Sequence, residues 1–453
     1  MNPYMQYMYS YPHKTAYGPL QGVSLREYAP LLAGGGHGLY LHVPFCQAKC
    51  GYCNLFSVTG QGEDAVDRYL DAVERQAAQY AEALAECDCQ FSDLVIGGGT
   101  PLYLTERQLE RVFILLTSYF DIAPQSEMVI ETAPNQTTRE KLAIIKRAGV
   151  TRVSMGIQSF SDRDLAALRR GHTGEKAREA LVLLKEFEFR CVNVDFIYGI
   201  PGQTVESLLD SLKEALEYGP DELFLYPLYV KHGVGLEREG VVLNPEAAYE
   251  QYLAASGYLK EAGFRQDSMR RFVRQKGSSH QIEDINRAET MGGHIRVDRK
   301  KKREFSECGF GTSLALGCGG RSYLGNLHFC TPYAVDRREC LKRLEEYEKE
   351  EDYTRISHGI LLSEDEVRRR YVIRHLFIRP GIKRRMYEKH FGSHMIKDFP
   401  LLSDWLNQGF IEWQQDEQEE ILALTERGLG LSDYLGPKLI SPQIRKKMEE
   451  WKP

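Results

Sequence analysis

The stretch YLHVPFCQAKCGYC, residues 40–53, decides how the rest of this chain is read. Cys46, Cys50 and Cys53 stand at CxxxCxxC spacing directly after an apolar, strand-like run. Three thiolates on one short loop can hold three irons of a cubane [4Fe–4S] cluster and leave the fourth iron open. An open iron is what S-adenosylmethionine needs to chelate metal through its amino and carboxylate groups beside its sulfonium. One electron from the cluster would then split the sulfonium and release a 5′-deoxyadenosyl radical. Tyr52 supplies an aromatic immediately before the last cysteine. A zinc knuckle or plain structural cysteines are the competing readings, but no second CxxC or histidine pair stands at zinc spacing.

Around this loop the chain has the composition of an ordinary soluble protein. It has 453 residues, 42% hydrophobic and 27% charged, enough for two or three domains. A net charge of −6 gives no footing for nucleic acid or an anionic membrane as partner. No apolar stretch approaches the ~18 residues that span a bilayer, and the first twenty residues lack a secretory pattern. Ten cysteines in a chain of this length point to thiols and a metal centre rather than a disulfide framework. A reducing, cytoplasmic setting is expected.

From about residue 38 to 230, short apolar runs alternate with amphipathic helical patterns. The strands are expected at 38–45, 93–96, 128–131, 152–155, 192–198 and 222–226. Helices are expected at 65–86, where Val66, Tyr69, Leu70, Val73, Ala77, Tyr80, Ala81 and Leu84 recur on one face. Others fall near 105–119, 137–148, 174–188 and 204–217. Six strand–helix units predict an α/β fold, a partial, open (β/α) barrel of right-handed units with chemistry at the C-terminal strand ends. The expected organisation is an arm at 1–37, the barrel at 38–235, an extension on the substrate side at 236–355 and a C-terminal domain at 356–453. Within the extension, 245–263 reads as a helix and 274–306 as a polar loop ending in a basic run. The Gly-rich stretch 309–327 reads as strand and turn covering the barrel mouth. The last domain reads as a small α+β, winged-helix-like unit with an acidic wing at 414–420, a poor surface for phosphate. The Tyr-rich arm (Tyr4, Tyr7, Tyr9, Tyr11, Tyr17) either packs over the barrel or forms a loose end.

Further polar residues cluster at the expected strand ends. Gly97, Gly98, Gly99 and Thr100 open a GGGTP turn whose exposed N–H and C=O groups suit the amino group of a methionine moiety. Glu131 suits ribose hydroxyls, Gln158 and Asp195 suit ribose or a carboxylate, and Arg170 suits a carboxylate. Each alone is compatible with a strand-end cap; on successive strands they describe a site. No side chain is assigned as a catalytic group.

The segments YLHVPFCQAKCGYC, IGGGTP, ETAPN, GVTRVSMGIQSF and NVDFIYGIPGQT resemble the radical SAM superfamily. Within it, they are most like the oxygen-independent coproporphyrinogen III oxidases and the related HemW-type heme chaperones. The resemblance implies cofactor contacts at Tyr40, Gly98, Thr100, Glu131, Gln158, Arg170 and Asp195. It also implies a tetrapyrrole-like or other bulky small-molecule substrate, and a reducing donor such as flavodoxin or ferredoxin. A second molecule of S-adenosylmethionine would fit a methyltransferase or heme-opening variant, and a heme carrier is a further alternative. Two departures stand out. The decarboxylating oxidases carry a cysteine two places after the last ligand, where this chain has Leu55. The chaperones carry HNxxYW, whereas this chain has SMRRF at 268–272 and LGCGGRSY at 316–323. A carrier would have to draw its heme ligands from elsewhere, such as His232, His280, His294 and His328. Cys308, Cys318 and Cys330 lack paired spacing for a second cluster and read as buried thiols, like Cys87, Cys89, Cys191 and Cys340.

Overall fold

The computed structural model describes residues 2–8, 10–275, 311–416 and 419–451. Six parallel strands carry the fold: β1 (Gly34–Val43), β2 (Cys89–Gly98), β3 (Ile122–Thr132), β4 (Arg152–Gln158), β5 (Cys191–Tyr198) and β6 (Glu222–Pro227). Each pairs in parallel with the next, as in Leu39 beside Leu94 and Leu94 beside Met128. Helices α1 (Glu63–Leu84), α2 (Glu106–Tyr119), α3 (Arg139–Arg147), α4 (Gly174–Glu186) and α5 (Val205–Glu217) make the crossovers.

Local chemistry explains these elements. Val66, Tyr69, Leu70, Val73 and Ala77 of α1 are buried on the face that the 3.6-residue period marks out. A capping box of Thr105 and Gln108 starts α2, and Thr204 with Ser207 does the same for α5. The strands outrun the expected ends because their flanking polar residues stay within the pairing. In β3, Ile122–Glu127 precede the apolar stretch that the sequence marks as a strand.

Beyond β1 the sheet continues. Ser313–Leu316 pairs in parallel with β1, giving a seventh parallel strand, and Arg321–Leu324, Leu327–Cys330, His358–Leu361 and Gly18–Pro19 follow antiparallel. At the other edge, Arg271–Arg274 and Phe264–Gln266 extend β6. The described part of 309–327 therefore continues the sheet beyond β1 and lines none of the main cavity. The reason is physical: β1 would otherwise present unpaired backbone groups, and Leu314, Leu316, Leu324 and Leu327 are fully buried. Most of the polar loop, including its basic run, and Cys308, His280 and His294 lie outside the described residues.

A second apolar core gathers Val372, Leu376, Trp405, Leu422 and Leu424 with Tyr11, Ala16 and Tyr17 from the N-terminal arm. Its sheet has three strands, with Glu420–Leu424 between Ile382–Lys383 and Ile411–Gln415. The arm is packed: Tyr4 meets Tyr198 edge-on, the Gln6 amide donates to the Asp433 carbonyl at 3.2 Å, and the Tyr11 hydroxyl reaches Glu366. Among the described residues, no helix is long and apolar enough to cross a membrane.

Candidate active site

The cysteine loop leaves the C-terminal end of β1 and is tied down at both sides. The Gly51 amide donates to the Leu168 carbonyl at 3.0 Å, and the Leu236 amide donates to the Gly51 carbonyl at 2.8 Å. A Cβ on Gly51 would lie 2.9 Å from Leu236 Cγ, so only glycine lets the loop sit this close. Lys49 Nζ donates to the Val335 carbonyl at 2.7 Å, and the Tyr333 hydroxyl donates to the Asn54 carbonyl at 2.9 Å. Burial pushes the Cys46 thiol up to about 12 and raises Cys53 as well, so an apo loop keeps protons that metal would displace. Arg170 is the counter-charge: Nη1 lies 3.0 Å from Cys50 Sγ while Nη2 donates to the Gly156 carbonyl.

The GGGTP turn ends β2 beside that loop. Thr100 Oγ1 lies 3.6 Å from Cys46 Sγ, and a Cβ on Gly99 would stand 2.6 Å from the Phe45 carbonyl oxygen and 2.9 Å from the same sulfur. The turn's amides are committed within the protein: Gly98 to Glu131 Oε2 at 3.1 Å, Gly99 to Val43 and Thr100 to Phe45. The expectation of N–H groups open to a ligand fails for these three. What the turn can offer an amine is carbonyl oxygen, the correct polarity for an ammonium group.

Glu131 is the penultimate residue of β3, Gln158 ends β4 and Asp195 lies on β5; all three face one cavity with Gly98, Gly99, Thr100, Tyr52 and Arg170. Burial raises Glu131 to about 7, with Asp195 adding to it and the Gly98 amide opposing it. Asp195 is raised to about 6 by burial, opposed by Asn193, whose Nδ2 donates to Oδ1 at 2.7 Å. Gln158 has a left-handed backbone, φ 74°, at a bulge where β4 slips register against β5. Such a conformation costs a non-glycine residue about 1–3 kcal/mol and re-aims the side chain. Its buried Oε1 has no hydrogen-bond partner, and neither has Arg170 Nε. Tyr40 stands one step away: its hydroxyl is 3.1 Å from His42 Nδ1, and His42 Nε2 is 2.9 Å from the Phe56 carbonyl. Burial takes His42 down to about 4, so it is a neutral imidazole whose two nitrogens are both engaged.

The cavity measures about 660 Å³, and much of its outer wall was not foreseen. Tyr7, Met8 and Lys14 come from the arm, Lys231, Met269 and Arg270 from after β6, and Arg374, Phe377 and Asp433 from the C-terminal unit. Arg270 and Asp433 form a buried ion pair that the Tyr229 hydroxyl joins at 2.5 Å, with Arg270 lying 3.7 Å over the Tyr7 ring. SMRRF thus contributes to the cavity wall through Arg270. Of the candidate heme ligands that the structure describes, His232 pairs with Glu237 on the surface and His328 is buried behind Tyr323; neither lines the cavity. Cys318 is buried and lies 3.5 Å from the Arg343 carbonyl, as an inert thiol would.

Residues 40–215, which hold the cysteine loop and all the strand-end residues just described, match the radical SAM superfamily model. These residues belong to the radical SAM superfamily. The chain is 36% identical over 250 residues to the heme chaperone HemW of Mycobacterium tuberculosis, covering 53% of this chain and 63% of that protein. The match thus spans a little under two thirds of that relative's length. Across 93% of the chain it is 26% identical to the oxygen-independent coproporphyrinogen III oxidase of Escherichia coli, covering 91% of that enzyme. The solved structure of the Escherichia coli oxidase superposes with a TM-score of 0.75 at 22% identity over 98% of both chains, a likeness of fold.

Radical SAM proteins use a [4Fe–4S] cluster and S-adenosylmethionine, and the residues present fit both. The donor set at the loop is three soft thiols with a guanidinium alongside. Among the described residues, no three His, Cys, Asp or Glu side chains converge as one metal ion requires. The thiolates of a cubane bind separate irons and need no such point of convergence. Next to the loop lie a run of three glycines, two orphaned buried polar atoms and two carboxyls.

Proposed function

We propose that this chain is a radical SAM oxidoreductase of the coproporphyrinogen oxidase-like kind, acting on a bulky, tetrapyrrole-like substrate. The observation that carries it is the gathering of Cys46, Cys50, Cys53, Thr100, Glu131, Gln158, Arg170 and Asp195 at one end of a single large cavity. When bound and reduced, the cluster and S-adenosylmethionine would supply a 5′-deoxyadenosyl radical able to abstract hydrogen from the substrate.

The protein's part is positioning and exclusion of water. Cys46, Cys50 and Cys53 hold the metal, and Arg170 balances charge at Cys50. Carbonyls of the 97–100 turn accept from the amino group. Glu131, Gln158 and Asp195 take ribose hydroxyls, Glu131 as an acceptor already fixed by the Gly98 amide. Tyr40 and Tyr52 complete the cradle, with Tyr40 held by neutral His42. Met8, Ile197, Phe224, Leu228, Met269 and Phe377 make the substrate end apolar, while Lys14, Lys231 and Arg374 border it with positive charge. That lining suits an apolar macrocycle bearing carboxylates. Leu55, 44% exposed, supplies no thiol where the decarboxylating oxidases carry one.

Anaerobic reconstitution followed by reduction with candidate tetrapyrroles tests it. The expected result is one cluster per chain, release of 5′-deoxyadenosine and a change in substrate mass. S-adenosylhomocysteine among the products selects a methyl transfer instead, and stoichiometric heme binding without cofactor cleavage selects a carrier. Protein that holds no iron, or whose Cys50→Ala variant cleaves the cofactor equally well, refutes the proposal.

A further inference from the structure

Behind the cavity wall lies a fully buried carboxylate that touches none of the cavity. Asp164, on the short helix Asp162–Ala167, is 0% exposed. Its Oδ2 accepts from Ser159 Oγ at 3.0 Å and from Gln203 Nε2 at 3.0 Å, while Oδ1 has no hydrogen-bond partner. Burying a carboxylate is costly, and this one gains only an edge contact with Arg163, Nη2 to Oδ1 at 3.8 Å. Its retention calls for a role in holding its two donors.

Those donors lead to the cofactor end of the cavity. Ser159 directly follows Gln158, the residue with the left-handed backbone. The Ser159 hydroxyl is a hub: it donates to Asp164, accepts from the Ser161 amide at 3.1 Å and lies 3.4 Å from Ser211 Oγ on α5. Ser211 Oγ in turn accepts from the Phe160 amide at 3.3 Å. Gln203 reaches the Ile197 carbonyl at 3.3 Å, two residues beyond Asp195 on β5. From helix Pro245–Glu261, Gln251 closes the ring by donating to the Gln203 carbonyl at 2.8 Å and accepting from the Gly199 amide at 2.7 Å. One carboxylate oxygen therefore joins the turn after β4 to the end of β5.

We propose that Asp164 is a positioning residue for cofactor binding: through Ser159 it locks the strained turn that aims Gln158 into the cavity. A strained backbone persists only where its surroundings over-determine it, and the Asp164–Ser159 bond is the part of those surroundings supplied by a buried side chain that also ties in Gln203. The inference rests on the reading of Gln158 as a contact for S-adenosylmethionine.

The test uses reconstituted full-length protein without reductant, so that S-adenosylmethionine binds but does not react. Affinity is measured by equilibrium dialysis, beside iron content and thermal unfolding. Asp164→Ala is expected to weaken binding about tenfold, the value of one well-placed hydrogen bond, with iron content unchanged. Asp164→Asn keeps an oxygen that accepts both bonds and should return affinity to within about twofold of wild type. Ser159→Ala removes the same link with little loss of volume, and should weaken binding in the same direction should Asp164→Ala fold poorly. On a Gln158→Ala background, Asp164→Ala should add less than about twofold, because both changes remove one contact. A full tenfold loss on that background, or wild-type affinity in both Asp164→Ala and Ser159→Ala while Gln158→Ala binds weakly, overturns the positioning role alone. Unchanged affinity in Gln158→Ala overturns it together with the reading on which it rests.

Discussion

Replacing Glu131 with glutamine should make the cofactor-free protein more stable at neutral pH while making it a poorer binder of S-adenosylmethionine. A carboxyl held at about 7 rather than 4.5 binds a proton in the folded chain over a pH range where the unfolded chain has released it. Stability therefore falls as pH rises through that window and is recovered below it. Each tenfold change in proton affinity is about 1.4 kcal/mol, so the ionised group costs the fold up to about 3 kcal/mol. One edge of the side chain faces the open cavity, and solvent there reduces the figure to about 1–2 kcal/mol. Glutamine keeps an oxygen for the Gly98 amide and carries no charge. For a chain of this length each kcal/mol moves Tm by about 1 °C, so a gain of about 1–2 °C is expected near pH 8. Near pH 5 the two proteins should coincide. Fluorimetric unfolding of apo protein from about pH 5 to about pH 8 reads both slopes, and a residual slope in the variant is expected from Asp195, raised to about 6. Binding of S-adenosylmethionine should weaken about tenfold when an ionised acceptor is lost. A variant less stable than wild type near pH 8, or with an unchanged pH slope, refutes the account of Glu131 as a desolvated carboxyl.

Three other outcomes can be checked with the same proteins. Gly99→Ala puts a methyl group 2.6 Å from the Phe45 carbonyl, where backbone must move; about 1–3 kcal/mol of stability and most of the iron should be lost, read by Tm and iron per chain. Asp433→Ala strands Arg270 in a buried wall and should cost about 3–5 kcal/mol, whereas Arg270→Met with Asp433→Leu should recover most of it in a double-mutant cycle. Cys50→Ala should abolish cluster absorbance yet leave the chain folded, since the loop is anchored through Gly51 and Lys49 backbone and side-chain bonds that do not involve the sulfur.

What the sequence made legible was whatever short range decides. CxxxCxxC is a single loop, GGGTP is one turn, and the strand–helix alternation from β1 to β6 is written in local hydrophobic period. Glu131, Gln158, Arg170 and Asp195, which the structure brings to one cavity, stood out because polar residues at or just beyond strand ends are conspicuous one strand at a time. Long-range pairing left no such mark. Nothing within residues 313–316 announces that they will lie beside residues 38–41, some 270 positions away in the chain. Ile382–Lys383 has two residues, too few to show a period, yet it completes the three-stranded sheet. Arg270, Tyr229 and Asp433 meet only in the folded state, and the left-handed turn at Gln158 falls on a residue type that gives no hint of it. The arm was open between two readings because its tyrosines find their partners, Tyr198, Tyr226 and Glu366, on two different cores.

The pairing of β1 with Ser313–Leu316 also sets an order of events during synthesis. The strand that leads into the cysteine loop emerges early, but its outer edge stays unpaired until residue 316 has left the ribosome. At about 5–20 residues per second, that is a delay of roughly 15–55 s. Until then β1 has a partner, β2, on one side only, and its free edge is open to strand-to-strand association. The far end of the sheet thus governs when the strand that leads into the cysteine loop is enclosed on both sides.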